Sequence, residues 1–222
     1  PDDPRSAGNY TALARRTVAA IRKADPNAFV LVGAAGEDPQ WQWVDAIVAQ
    51  GAARQASGLS VHYYNHCLRP GYRTATEAIG RIEALRRKLV ASQGDKAPQL
   101  YITETGWPTT TGGHCDIPRQ AAGDNTAQFL LWAAATPWIG GVWIYQLRDQ
   151  GRNPTELEDN FGLFDYDYRP KPAACMVADV TRIVHGAKRW RVLRQAGGLT
   201  LIQLDGAKGR QLVAFAEQQG QV

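Results

Sequence analysis

Apolar positions recur at helical spacing from about Gly8 to Ala24, where Tyr10, Leu13, Ala14, Thr17, Val18 and Ile21 predict one buried helix face. Asp25-Pro26-Asn27 closes that helix, and Phe29-Val30-Leu31-Val32 comes next as a short run without polar interruption. Such a run predicts a parallel strand buried on both faces. Asp38-Pro39 then opens a second helix with Trp41, Val44, Ile47 and Val48 inward. The rhythm repeats. Gly58–His62 reads as a strand, and Thr74-x-x-Glu77 is a capping box for a helix burying Ile79, Ile82, Leu85 and Leu89. Leu100–Thr103 is the next strand, followed by a helix from about Arg119 to Ala135. Gly141–Tyr145 is the fourth strand, and Lys171 to His185 forms its helix.

Four strand–helix units after an initial helix predict right-handed parallel crossovers. The last part changes period. Trp190–Leu193, Thr200–Leu204 and Gln211–Phe215 read as antiparallel strands, with turns at Gly197-Gly198 and Asp205-Gly206. Long connections come after the parallel strands, at about Gly33–Asp38, Tyr63–Arg73, Glu104–Pro118 and Leu147–Pro170, whereas those preceding the strands are short. Active sites of parallel α/β folds are built from loops at that carboxyl end. The expected class is therefore α/β. The pattern predicts half of a (β/α)8 TIM barrel over residues 1–186 and a small C-terminal antiparallel β extension over 187–222.

Composition narrows the function. A chain of 222 residues, 44% of them hydrophobic, suits a folded domain with a sizeable core. Twenty-five basic against 21 acidic residues leave a net charge of only +4. Arg86-Arg87-Lys88 and Lys188-Arg189 read as a solvated helix face and a solvated turn, so no nucleic-acid partner is expected. No apolar run approaches membrane-spanning length. No metal-ligand spacing, phosphate loop or dinucleotide motif is present, and neither cofactor nor metal is expected. Cys67 and Cys115 fall in long loops after neighbouring strands, at one end of the sheet, and are expected to pair. Cys175, on a helix, is expected to be a buried free thiol. The Cys67–Cys115 bond would imply an oxidising compartment, and a secreted or periplasmic location would accompany an upstream signal peptide.

The chemistry concentrates at strand ends. Glu104 directly succeeds an apolar strand, where a carboxylate is held on a rigid element. His62 and Tyr64 end the preceding strand, placed to hydrogen-bond that carboxylate and keep it ionised. Trp107 forms an aromatic turn with Pro108, Trp143 and Tyr145 share one face of the following strand, and Asp149 lies just beyond.

The segment Tyr101-Ile102-Thr103-Glu104-Thr105-Gly106-Trp107-Pro108 resembles the strand-seven nucleophile motif of clan A, the retaining (β/α)8 glycoside hydrolases. His62-Tyr63-Tyr64 is similar to that clan's strand six, and Gly141 to Asp149 to its strand eight. Asn160 to Pro172 is similar to the run into the last helix. The resemblance covers about residues 8–185 and is closest to family 39-like and family 5-like members, with a Thr-Gly-Trp-Pro turn similar to family 17. It implies an O-glycosyl hydrolase with Glu104 as nucleophile and no cofactor. His62, Tyr64, Trp107, Trp143, Tyr145 and Asp149 would serve a carbohydrate substrate.

The clan's general acid/base Glu sits at the end of strand four, and this sequence corresponds to the half of the barrel beyond that strand. Glu37, Glu156 and Glu158 do not replace it by spacing. The alternative is therefore a carbohydrate-binding or structural half-barrel without turnover. Four parallel strands also leave two bare edges and an uncovered sheet face, so a homodimer completing the barrel is expected.

Overall fold

The computed structural model describes residues 5–35, 38, 40–196, 199–207 and 209–216. The expected turn at Gly197-Gly198 and Glu37 lie outside them. The chain divides into two compact units, each assembled from three stretches: residues 1–63, 81–104 and 138–142 in the first, and 64–80, 105–137 and 143–222 in the second.

The elements run α1 (Ser6–Ala24), β1 (Leu31–Ala35), α2 (Gln42–Ala49), β2 (Gly58–His62), α3 (Ala75–Gln93), β3 (Leu100–Thr105), α4 (Arg119–Ala134), β4 (Ile139–Ile144), α5 (Pro172–Gly186), β5 (Ala187–Ala196), β6 (Leu199–Gly206) and β7 (Gly209–Ala216). One four-stranded parallel sheet has the order β1-β2-β3-β4, and β5-β6-β7 form a separate antiparallel sheet. Strands in sequence order with a helix after each are the arrangement expected of half a TIM barrel. β1 and β4 are its edges.

In the first unit, Leu59, Val61, Leu100 and Ile102 are fully buried. They alternate with Gly58, Ser60, Tyr101 and Thr103 on the opposite face. That second face is not the apolar surface expected for a bare half-barrel. Ser60 Oγ and Thr103 Oγ1 hydrogen-bond across it at 2.5 Å. The Tyr101 ring lies over Gly58 and Gly140, where a Cβ would collide with it. Phe29 packs edge-on against the same ring, centroids 5.4 Å apart. Phe29 precedes β1 rather than opening it and is 65% exposed, so the first strand is later than the run Phe29–Val32 predicted.

The α1 face also differs from expectation. Ala7, Thr11, Ala14 and Val18 are buried, while Leu13 is exposed. Their spacing of three and four makes a narrow stripe of mostly small side chains, and Leu13 falls beside it. α2 agrees closely with the prediction. Asp38 accepts from Gln42 N at 2.8 Å and Val44 N at 3.0 Å, satisfying two free N–H groups of the first turn.

In the second unit, the expected capping box starts α3, with Glu77 N donating to Thr74 Oγ1 at 3.2 Å. The antiparallel sheet packs on α4 and α5 through Leu131, Ala135, Val180, Ile202 and Leu204. β5 begins immediately after α5, so Lys188 and Arg189 lie on a strand and not in the turn expected from their charge. Cys175 is exposed on α5, which corrects the expectation of a buried thiol. Its neighbours on the buried stripe are Ala173 and Val180, and position 175 falls off that stripe. No helix among the described residues is long and apolar enough to cross a membrane.

Candidate active site

Glu104 and His62 belong to the first unit and end β3 and β2 side by side. The parallel register pairs Val61 with Ile102 and then shifts by one residue, so that His62 stands opposite Glu104. Such an irregularity re-aims the side chains beyond it. Tyr63 N donates to Glu104 O at 3.1 Å, carrying the pairing past the end of β2. The consequence is a side-chain pair with His62 Nδ1 3.3 Å from Glu104 Oε2. The imidazole is 20% and the carboxylate 42% exposed, so one face of the acid remains open. The two side chains form an ion pair when the imidazole is protonated, and a carboxylate with an open face is what a nucleophile requires.

The remaining predicted positions belong to the second unit. Phe161, buried, is the hub of an aromatic cluster. Tyr64 meets it with centroids 5.7 Å apart, His66 at 5.2 Å and Tyr145 at 5.3 Å, all edge-to-face. The Tyr145 hydroxyl donates to Glu158 Oε2 at 3.1 Å and accepts from Gln150 Nε2 at 2.8 Å. Tyr145 therefore presents a polar tip held by two partners. Trp143 is 52% exposed.

Trp107 and Asp149 have structural surroundings. The Trp107 indole is buried, lies edge-on to Phe129, and donates to Asn65 Oδ1 at 2.8 Å. Asn65 Nδ2 in turn reaches Thr74 O at 2.8 Å, Glu77 Oε2 at 2.9 Å and Tyr72 O at 3.1 Å. Asp149 is buried, and its Oδ1 accepts from Gly162 N and Lys171 Nζ, both at 2.7 Å. Lys171 Nζ also donates to Thr109 Oγ1 at 2.9 Å and Asn160 O at 3.1 Å. Burial pushes the Lys171 ammonium below its usual pKa, against the opposing pull of Asp149. The position read as a partner for a sugar hydroxyl is thus the anion of a buried ion pair.

A disulfide joins Cys67 and Cys115, as the loop placement predicted, with Cα atoms 4.6 Å apart. Arg73 braces the same two loops, donating to Asp116 O at 3.0 Å and to His114 O. His114 lies beside the two sulfur atoms, which are bonded to each other. Sequence reasoning passed over Asn65, His66 and Lys171. His66 sits within the aromatic cluster with its Nδ1 buried and without a hydrogen-bond partner among the described residues. Burial, helped by the Arg73 charge, lowers its pKa from 6.5 to about 4. No residue pattern around Lys171 signals its burial, because its partners Asp149, Thr109 and Asn160 come from distant positions.

The sequence matches no family model and no curated protein. Solved structures do match its fold. A family 39 glycoside hydrolase from Bacteroides cellulosilyticus WH2 superposes with a TM-score of 0.74 at 20% identity, covering 94% of this chain and 44% of that one. The GH51 arabinofuranosidase from Xanthomonas axonopodis pv. citri gives 0.62 at 11% identity, covering 95% and 48%. An active-site mutant of the Rhizomucor miehei beta-1,3-glucanosyltransferase gives 0.53 at 18% identity, covering 78% and 57%. The chain spans less than half the length of the first two. Its fold is similar to part of the TIM barrels of these glycoside hydrolases.

Proposed function

We propose that this chain carries the nucleophile half of a retaining O-glycoside hydrolase of clan A, with Glu104 as nucleophile. The observation that carries this reading is the registered His62–Glu104 pair at adjacent parallel strand ends, 3.3 Å apart with the carboxylate partly open. In this mechanism Glu104 attacks the anomeric carbon as the aglycone leaves, and water then hydrolyses the glycosyl ester. His62 is assigned to orient the attacking carboxylate. Trp143, Tyr64 and Tyr145 are assigned to the sugar, and Trp107 and Asp149 hold the loops that present them.

Closing the barrel takes four further strands against the β1 and β4 edges. A second copy of this chain meets that need, β1 of each copy pairing with β4 of the other. It would bring a second Glu104 but no acid/base in the family's position. The homodimer would therefore turn over activated substrates and few others. Light scattering tests the stoichiometry, and a stable monomer at micromolar concentration removes the closed dimer.

Activated substrates also test the nucleophile, because a dinitrophenolate leaves without protonation. A panel of 2,4-dinitrophenyl 2-deoxy-2-fluoroglycosides is expected to leave a glycosyl ester on Glu104, located by peptide mass mapping, and none in Glu104→Gln. An ester on another residue overturns the assignment. The second reading is a carbohydrate-binding half-barrel without turnover. It has in its favour that Glu104 is, among the described residues, the lone strand-end carboxylate paired with His62, and saccharide binding without any adduct across the panel would establish it.

A further inference from the structure

The antiparallel sheet turns Trp190, Val192, Ile202, Leu204, Val213 and Phe215 towards the α4–α5 core. By alternation the residues between them face the other way. There the register places Arg191 beside Gln203, and Asp205 between Arg189 and Arg210 on the two flanking strands. These five line a cavity of about 270 Å3 on that face. Three guanidinium groups and one carboxylate leave this small space with a lining charge of +2.

The arrangement is built from its floor upward. Gln203 is only 8% exposed on a face that carries no core, so the arginine stems above it provide its cover. Its Nε2 donates to both Asp205 oxygens, at 3.2 and 3.0 Å, and its Oε1 accepts from Arg191 Nη2 at 3.3 Å. Arg210 Nε donates to Asp205 Oδ1 at 3.2 Å. The Gln203 bond, with Arg210 and Arg189 beside it, holds the Asp205 carboxyl below its usual pKa, so it stays an anion and a fixed acceptor. Asp205 thus fixes Arg210 through one N–H and leaves that guanidinium's terminal edge uncommitted among the described residues. The Arg189 guanidinium makes no hydrogen bond among the described residues, while its main chain pairs opposite Asp205.

Uncommitted planar guanidinium edges recognise oxyanions in bidentate geometry. A nucleic acid would need a tract of such contacts, one for each neutralised phosphate, rather than one small cavity. We propose that this cavity is a second saccharide site, selective for a sugar residue bearing a carboxylate or a sulfate ester. The choice of a saccharide rests on the glycosidase reading above. Arg189 and Arg210 grip the charged substituent, and Arg191 and Gln203 contact neighbouring hydroxyls.

Isothermal titration of the full chain with oligogalacturonate, with a sulfated galactose oligomer and with the neutral galactose oligomer tests it. At least one anionic oligomer is expected to bind ten times or more tighter than the neutral one, with affinity falling as NaCl rises. Which anionic oligomer wins separates carboxylate from sulfate. Arg189 is exposed and its guanidinium has no hydrogen bond among the described residues, so Arg189→Gln should fold as the parent does and weaken that binding at least fivefold; Arg189→Gln with Arg210→Gln should abolish it. Equal binding of neutral and anionic oligomers, or binding unchanged in Arg189→Gln, overturns the proposal. Duplex DNA binding as tightly as the oligomers also overturns it, by marking a non-selective polyanion surface. Glu104→Gln should bind as the unsubstituted chain does, so loss of the glycosidase reading and loss of this site are separate results.

Discussion

Lys171 and Asp149 form an ion pair in which the ammonium nitrogen and carboxylate oxygen are 2.7 Å apart and the lysine side chain is 1% exposed. The pair joins the loop after β4 to the start of α5, and Thr109 and Asn160 complete the ammonium's partners. Removing one charge strands the other in a dry site. Lys171→Met is therefore expected to lower unfolding stability by about 3–5 kcal/mol in urea titrations. The double variant Lys171→Met with Asp149→Leu should recover part of that loss. A Lys171→Met protein as stable as the parent would show that the pair carries no structural role.

The Cys67–Cys115 bond closes a long segment, with the two cysteines 48 residues apart. Chain-entropy scaling gives a cross-link of that span about 4 kcal/mol of stabilisation. Cys67→Ser with Cys115→Ser should lose stability of that order. Thiol titration of the unfolded, unreduced chain should find only Cys175, and all three cysteines of the sequence after reduction. Three thiols before reduction would contradict the bond.

His66 makes stability depend on pH. Its folded pKa of about 4 lies below the ordinary 6.5. Between those values the unfolded chain takes up a proton that the folded chain refuses, so acid favours unfolding. Stability is expected to be constant above about pH 6.5 and to fall as pH drops towards 4. His66→Phe keeps an aromatic ring in the Phe161 cluster and should flatten that part of a melting-temperature profile. An unchanged slope would assign the acid sensitivity to other groups.

The parallel half of the fold was legible because each element kept its own period. β2 was readable as Gly58–His62 because its bounds are set by a buried apolar pair and a turn, and α3 because Thr74 and Glu77 announce its start. The first strand and the first helix were misplaced where apolar residues do not face the core. Phe29 packs on Tyr101 ahead of β1, and Leu13 lies off the stripe that burial selects. At the candidate site, Glu104 and His62 were singled out by strand-end position together with the resemblance of their segments to clan A motifs. Their register was not, because it depends on an irregularity between Val61 and His62 that no pattern of types reveals. Lys171 and Asp149 are 22 positions apart, and only folding shows that they satisfy each other.

His62 gives the sharpest test of the pair itself. If its ring orients Glu104, removing it costs the carboxylate a neighbour 3.3 Å away. The carboxylate is 42% exposed, so water replaces part of that contact and the loss is modest. A loss of about 1.4 kcal/mol corresponds to a roughly tenfold change. On dinitrophenyl glycosides, His62→Ala is expected to lower kcat/KM about tenfold, chiefly through kcat. His62→Gln, which keeps a polar group at that position, should restore part of the loss. Glu104→Gln should lose roughly 10⁴-fold or more, since an amide neither attacks nor leaves as a carboxylate. A His62→Ala enzyme whose loss His62→Gln does not restore at all would reduce the histidine to a packing role. Full activity in Glu104→Gln would place the nucleophile elsewhere.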